Sequence, residues 1–317
     1  MDIKADFIVK KPQGLYCPYG DFYLDPQLPV HMAVISHAHN DHAKPGNQQV
    51  FCTSSTAQIM QLRYKKSAAH TFETRNYLQK FTIKEVNLSF YPAGHILGSA
   101  MVLMEYQNVR YLFTGDYKLQ PDATCKPIQF TTADVLITET TFANPAVIHP
   151  DPLKEIEKLN HIPSNIMLGV YALGKAQRIN NLISNHCPDK KVLVHHSILP
   201  IHLLYQKLNV NVGVFAPYNR KLMKQTLTNF IYLVPPVTFN SYQKADNAVR
   251  IFASGWKNLQ VSNANSLYIS DHVDWDDILL TIGKVEPKLI WTVHGDGSHL
   301  KKYFKDLKEV AIIENAY

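Results

Sequence analysis

Along the first half of the chain, short apolar runs alternate with Gly, Pro and Asn clusters, the pattern of strands joined by tight turns. GDFYLDP (20–26), MAVIS (32–36), LSFYPAGH (88–95), AMVLMEY (100–106), VRYLFTGD (109–116) and DVLITE (134–139) read as such strands. Gln107-Asn108, between the fourth and fifth, predicts a two-residue hairpin turn. From about Asn144 the period changes, and DPLKEIEKL (helix), NIMLGVYAL (strand), GKAQRINNLISN (helix) and KKVLVHH (strand) follow one another. That alternation predicts a small parallel α/β unit. Beyond FASGW (252–256) come the strand SLYISDH, the helix DWDDILLTI closed by Gly283, and the strand LIWTVHGDG. A final helix over HLKKYFKDL places Leu300, Tyr303, Phe304 and Leu307 on one face.

The 317 residues are enough for two domains with separate cores, and 46% hydrophobic against 18% charged residues excludes a disordered or fibrous chain. Cys17, Cys52, Cys125 and Cys187 lie far apart with no C-x-x-C pair, so neither a zinc knuckle nor a disulfide framework can be read from them, and a reducing compartment fits best. MDIKADFIVKK lacks the apolar core of a signal peptide, and no apolar run approaches a bilayer span, so the expected location is cytoplasmic. A net charge of +6 is too small for a polyanion coat but suits a surface that approaches polyanions.

Fifteen histidines change this picture. Ser36-His37-Ala38-His39-Asn40-Asp41-His42 carries H-x-H-x-D-H directly after an apolar strand. On an extended backbone alternate side chains share a side, so His37 and His39 converge on one ion. Asp41 and His42, after the chain turns toward a helix, face a second. His95, between Gly94 and Gly98, and Asp116, in TGDYK, read singly as a structural histidine and a turn residue. Both follow apolar strands, as does His294 in TVHGD, and that shared position groups them. The set closes as a dinuclear site: His37, His39, His95 and Asp116 for one metal, Asp41, His42, His294 and a bridging Asp116 for the other. Nitrogen and oxygen donors without thiolate suit zinc, and the carboxylates keep manganese open. Two divalent ions at about 3.5 to 4 Å flank both oxygens of an in-line phosphoryl displacement, so the chemistry is hydrolysis.

These residues resemble the metallo-β-lactamase fold, specifically its β-CASP nucleases. Glu139 in ITETTF resembles the group's acidic motif A, His272 in SDHVD its motif B histidine and His294 its motif C histidine. GLYCPYGDFYLDP, PAGHILGSA, TGDYK, YALGKAQRI, FASGW and SDHVDW are most similar to the bacterial DNA-ligase-associated exonucleases. The resemblance implies an αββα sandwich (1–144 and 266–317) with an inserted small β-CASP-like α/β domain (145–265). It also implies a metal-dependent phosphodiesterase, a DNA exonuclease or single-strand nuclease, working in repair beside an ATP-dependent ligase and a helicase. The insertion is shorter than in the RNA-cleaving relatives. A histidine at motif C goes with RNA cleavage in the wider group, so an RNA-processing nuclease is the second reading. A small-molecule hydrolase of this fold needs neither Glu139, His272 nor the insertion, and a decayed scaffold would have lost ligands.

His272 is the expected general acid, since an imidazolium near neutral pH gives up a proton readily. Glu139 would orient it, and Asp41 is counted with both the catalytic and the metal-binding residues. Lys175 and Arg178, at the start of a helix, Lys118 beside Asp116, and Ser270 are the expected substrate contacts; a helix cap with solvated cations is the competing reading for the first two. His195 and His196 end a strand and could line the cleft, while His31, His70, His149, His161, His186, His202 and His299 have no motif context.

Overall fold

Gln107 and Asn108 both take positive φ, 47° and 63°, the turn geometry whose twist matches paired strands. They join Ala100–Tyr106 to Val109–Phe113 as the expected antiparallel hairpin. In this computed structural model, which describes residues 2–223, 229–241, 248–256, 265–305 and 307–313, the hairpin lies inside a seven-stranded sheet. Its order is Glu309–Ile312, Leu289–Gly295, Val135–Thr140, Val109–Phe113, Ala100–Tyr106, Val86–Pro92 and Phe81–Ile83. A six-stranded sheet precedes it, with Val9–Lys11, Gly14–Cys17, Phe22–Leu24, Met32–Val34, Asn47–Cys52 and Ala69–Thr74 side by side in chain order.

One apolar core draws on both sheets: Leu15, Phe22, Leu24 and Val34 from the first, Phe90, Val102, Met104, Phe113 and Ile137 from the second. Met101 and Leu103 alternate to the other face, where they join Trp275, Ile278, Ile282 and Leu300. The seven-stranded sheet is thus covered on both faces, which is why AMVLM, residues 100–104, reads as an unbroken apolar run.

Two predicted helices end elsewhere than expected. Trp275–Val285 runs through Gly283, and Glu286 ends it by taking φ 54° itself. The last helix is Ser298–Tyr303; Leu300 and Phe304 are buried, but Tyr303 and Leu307 are exposed because the helix stops before Leu307 can join that face. Asp306, within the predicted helix, lies outside the described residues.

The third sheet is entirely parallel, in the order Ala216–Pro217, Lys191–Val194, Phe230–Val234, Asn165–Gly169, Ala248–Ala253, Asn265–Leu267. Phe230–Val234, with all five residues buried, is a strand that was not among those expected. Internal contacts divide the chain into Met1–Pro121, Cys125–Ile148 and His272–Tyr317 on one side, and Asp122–Thr124 and His149–Asp271 on the other. The boundary expected at 265/266 moves to 271/272 because Asn265–Leu267 pairs with Ala248–Ala253; that at 144/145 moves to 148/149. No helix among the described residues is long and apolar enough to cross a membrane.

Candidate metal centre

Every expected metal-binding side chain belongs to the first unit, on loops or strand ends of its two sheets. Met32–Val34 leads to His37, His39 and His42; no helix follows, and a single turn, with the His39 carbonyl accepting from the His42 and Ala43 amides, carries the chain on. Gly94, φ 74°, turns the chain at His95, and a Cβ there would meet the Lys118 carbonyl at 2.3 Å. Gly115, φ 53°, does the same before Asp116, where a Cβ would meet Ser36 at 2.7 Å. His294 is re-aimed by a register shift: Glu139 pairs with Val293 and Thr140 with Gly295, leaving His294, φ 52°, bulged out between them.

The side chains converge on Asp116. Its Oδ2 lies 3.3 Å from His42 Nε2, 3.6 Å from His37 Nε2, 3.8 Å from His95 Nε2 and 3.9 Å from His272 Nδ1. His39 Nδ1 is 3.1 Å from His37 Nε2 and 3.0 Å from His95 Nε2. One donor atom from each of His37, His39, His95 and Asp116 therefore fits within 4.8 Å of all the others. In the second expected set, the His42 and His294 ring centroids are 4.8 Å apart, and the exposed Asp41 carboxylate is 3.8 Å from His42 Nε2.

Burial opposes charge throughout this cluster, and the neighbours decide the outcome. Burial and the charges of His42 and His95 hold His37 well below the usual imidazole range. Burial also disfavours the charged form of His42, but Asp116 and Asp25 outweigh it and raise the group well above that range. Burial and the His42 charge push His294 to about 4. Asp116 stays well below the carboxylate range because His42 and His272 overcome its burial.

Asp25 went unrecognised in the sequence. It is buried, accepts from the Ser36 amide at 2.7 Å and from the Ser36 hydroxyl, and lies 2.8 Å from His42 Nδ1. The pairing leaves His42 Nε2 facing Asp116, as carboxylates behind metal-binding histidines do. The only signal was the one used elsewhere, a polar residue directly after an apolar strand.

Glu139 and His272 form the second such pair, 2.8 Å apart. Glu139 is fully buried, and it accepts from the Tyr117 amide at 2.9 Å and the Thr141 hydroxyl at 2.7 Å. Burial raises its carboxyl above the ordinary value against the pull of His272.

The expected substrate contacts are placed differently. Lys118 is 1% exposed and donates to the His95 carbonyl. In the second unit, Lys175 donates to the Ile269 carbonyl and lies 3.2 Å from Asp271. Arg178 is 1% exposed and donates to the Ser270 carbonyl at 2.6 Å and to Asp271 at 3.0 Å. Ser270 is buried with them. These cations donate to backbone carbonyls and a buried carboxylate, so Lys175 and Arg178 are not the solvated cations of the competing reading.

No family model matches the chain. It is 27% identical over 309 residues to a probable DNA ligase of Opitutus terrae, covering 90% of this chain and 29% of that protein. An RNase J-like protein of Methanocaldococcus jannaschii is 30% identical over 191 residues, 51% of this chain and 45% of its own length. The endoribonuclease ysh-1 of Neurospora crassa is 32% identical over 151 residues, 44% of this chain and 17% of its own length. The chain thus spans less than half the length of each of these relatives. A crystal structure of a protein of unknown function from Enterococcus faecalis V583 shares the fold at 15% identity, with a TM-score of 0.60 over 91% of this chain and 80% of that one.

Proposed function

We propose that the chain is a metal-dependent nuclease of the β-CASP group in the metallo-β-lactamase superfamily, its first unit the αββα sandwich and its second the inserted domain. The carrying observation is the convergence of four imidazoles on one oxygen of Asp116, at 3.3 to 3.9 Å. The donor chemistry fits a divalent cation: three imidazole nitrogens and a carboxylate within 4.8 Å, without thiolate, suit zinc and admit manganese. His37, His39, His95 and Asp116 would hold one ion, and Asp41, His42, His294 and Asp116 a second. Bound divalent ions would supply Lewis acidity to the phosphodiester and a nucleophile from water near neutral pH.

The chain's own groups supply the rest. With Glu139 ionised and accepting three hydrogen bonds, the His272 proton is fixed on Nδ1, and the second proton, carried on Nε2, is the one the imidazolium would release. His272 is 28% exposed at its side chain, enough to meet a leaving oxygen, whereas Glu139 is sealed from water and serves to orient it.

Similarity across 90% of the chain to a probable DNA ligase supports DNA as substrate and ligase-linked repair as the setting, with exonucleolytic or single-strand cleavage. Similarity to an RNase J-like protein and to ysh-1 favours RNA as the second reading. End-labelled single- and double-stranded DNA and matching RNA, incubated with zinc, manganese or magnesium, test both readings beside the His37→Ala variant. Metal-dependent cleavage of DNA, abolished in the variant, is expected. Equal or faster cleavage of RNA overturns the substrate, and activity surviving in His37→Ala overturns the site.

A further inference from the structure

All six strands of the third sheet are parallel, so their carboxyl ends share one edge. An aromatic or imidazole ring follows five of them within three residues: Tyr218, His195, Tyr171, Trp256 and Tyr268. Three are nearly half exposed, Tyr171 and Trp256 at 47% and Tyr218 at 40%. Large aromatics left in water at one edge need a reason, since burial of such a ring is strongly favourable.

Their positions are those of a ligand crevice. From Asn165–Gly169 the chain continues to Lys191–Val194 on one side of the sheet, and from the adjacent Ala248–Ala253 it continues to Asn265–Leu267 on the other. Open parallel sheets bind ligands where neighbouring strands diverge in this way. Tyr171 follows the first of these strands and Trp256 the second. Tyr171 stands edge-on to Phe252, ring centroids 6.4 Å apart, and Tyr218 stacks on the buried Tyr232 at 4.1 Å, so both rings have rigid backing.

Charge selects the ligand class. Among the described residues 170–174, 195–198, 218–222, 235–239, 254–256 and 268–271, which follow the six strands, the one carboxylate is Asp271, buried against Lys175 and Arg178. Arg220 and Lys221, beside Tyr218, are exposed. Exposed rings with flanking cations and no exposed carboxylate suit stacked, unpaired bases on a phosphate backbone. Six strands at about 4.8 Å give an edge roughly 24 Å long, room for several nucleotides.

We propose that this edge is a stacking platform for single-stranded nucleic acid, with Tyr171 and Trp256 at the crevice and Tyr218 with Arg220 and Lys221 at the far end. The proposal deepens the nuclease reading and rests on it for the identity of the polymer, yet its readout is binding alone. The full chain, treated with chelator, is titrated against fluorescently labelled dT10, U10 and a ten-base-pair duplex by anisotropy. Tyr171→Ala, Trp256→Ala and Tyr218→Ala should each weaken dT10 or U10 binding about tenfold, with Tyr171→Phe close to wild type. Tighter binding of dT10 assigns DNA and tighter binding of U10 assigns RNA; both keep the platform. Wild-type affinity in all three alanine variants, with unchanged thermal melts, overturns it, as does duplex binding equal to that of the single strands. If the wild type binds through these rings but cleaves nothing with any metal, the nuclease reading falls and the platform stands. If it cleaves while the variants bind normally, the reverse holds.

Discussion

Replacing Glu139 with Gln keeps the shape of the side chain and removes its charge in a site sealed from water. The native carboxylate accepts from His272 Nδ1, the Tyr117 amide and the Thr141 hydroxyl, at 2.7 to 2.9 Å. An amide offers one accepting atom. If its oxygen faces Tyr117, its NH2 faces Nδ1, and His272 must move its proton to Nε2 and accept instead. If its NH2 faces Tyr117, two donors meet in a buried space, which is worse. The first arrangement prevails, leaving a neutral His272 that has lost a charge-assisted hydrogen bond worth about 1.5 to 3 kcal/mol. Spent wholly on the barrier, that loss slows kcat about 10- to 150-fold at 1.36 kcal/mol per factor of ten. The assay is cleavage of end-labelled single-stranded DNA at saturating substrate and metal, with bound metal measured in parallel. A rate within about twofold of wild type with full metal refutes the orienting role. Loss of metal in place of loss of kcat also refutes it, since Glu139 would then be a ligand.

Asp25→Ala removes the carboxylate from the buried His42 Nδ1 and the Ser36 amide, leaving the Ser36 hydroxyl only His37 Nδ1 at 3.0 Å; it should lower unfolding stability by about 3 to 5 kcal/mol and metal affinity about 10- to 100-fold, read by denaturant titration and competition with a chelator. Arg178→Met removes the guanidinium from Asp271 and should cost about 3 to 5 kcal/mol of stability, while the salt dependence of nucleic-acid binding stays as in wild type; a shallower slope would return Arg178 to the phosphate contacts. His202 is fully buried and pushed to about 4 from an ordinary 6.5 by burial. The unfolded chain therefore takes up its proton first as pH falls, and stability drops between 6.5 and 4; His202→Gln should shrink the loss from pH 7.5 to 5 by about 2 kcal/mol in denaturant midpoints converted to free energy.

The parts of this molecule that sequence reveals are those fixed locally. H-x-H-x-D-H is legible because one strand end and one turn hold all four side chains, and Gln107-Asn108 because two residues determine a hairpin. Asp25 escapes because it acts 11 and 17 residues away, on Ser36 and His42, through a pairing of strands that no spacing encodes. Phe230–Val234 is as fully buried as Asn165–Gly169, and its place between Lys191–Val194 and Asn165–Gly169 is set by pairing across the sheet. The burial of Lys118, Lys175 and Arg178 is hidden because a sequence shows charge and not burial. Each lies beside a chemically suggestive motif, and each finds its partner inside the protein, a carbonyl or Asp271.

Asp25 and Glu139 show how one device yields two roles. Each is a buried carboxylate 2.8 Å from the Nδ1 of a histidine, one on a loop of the first sheet and the other in a strand of the second. Both histidines approach the same oxygen of Asp116, His42 by Nε2 at 3.3 Å and His272 by Nδ1 at 3.9 Å. The atoms differ, and so does exposure. His42 points its remaining nitrogen inward and is 1% exposed, which suits holding an ion and excludes proton exchange with a substrate. His272 spends Nδ1 on Glu139, and its side chain is 28% exposed, which suits proton transfer. Orientation by a carboxylate is common to the two; which nitrogen faces Asp116, and whether water and substrate can reach the ring, separates the residue that binds from the residue that reacts.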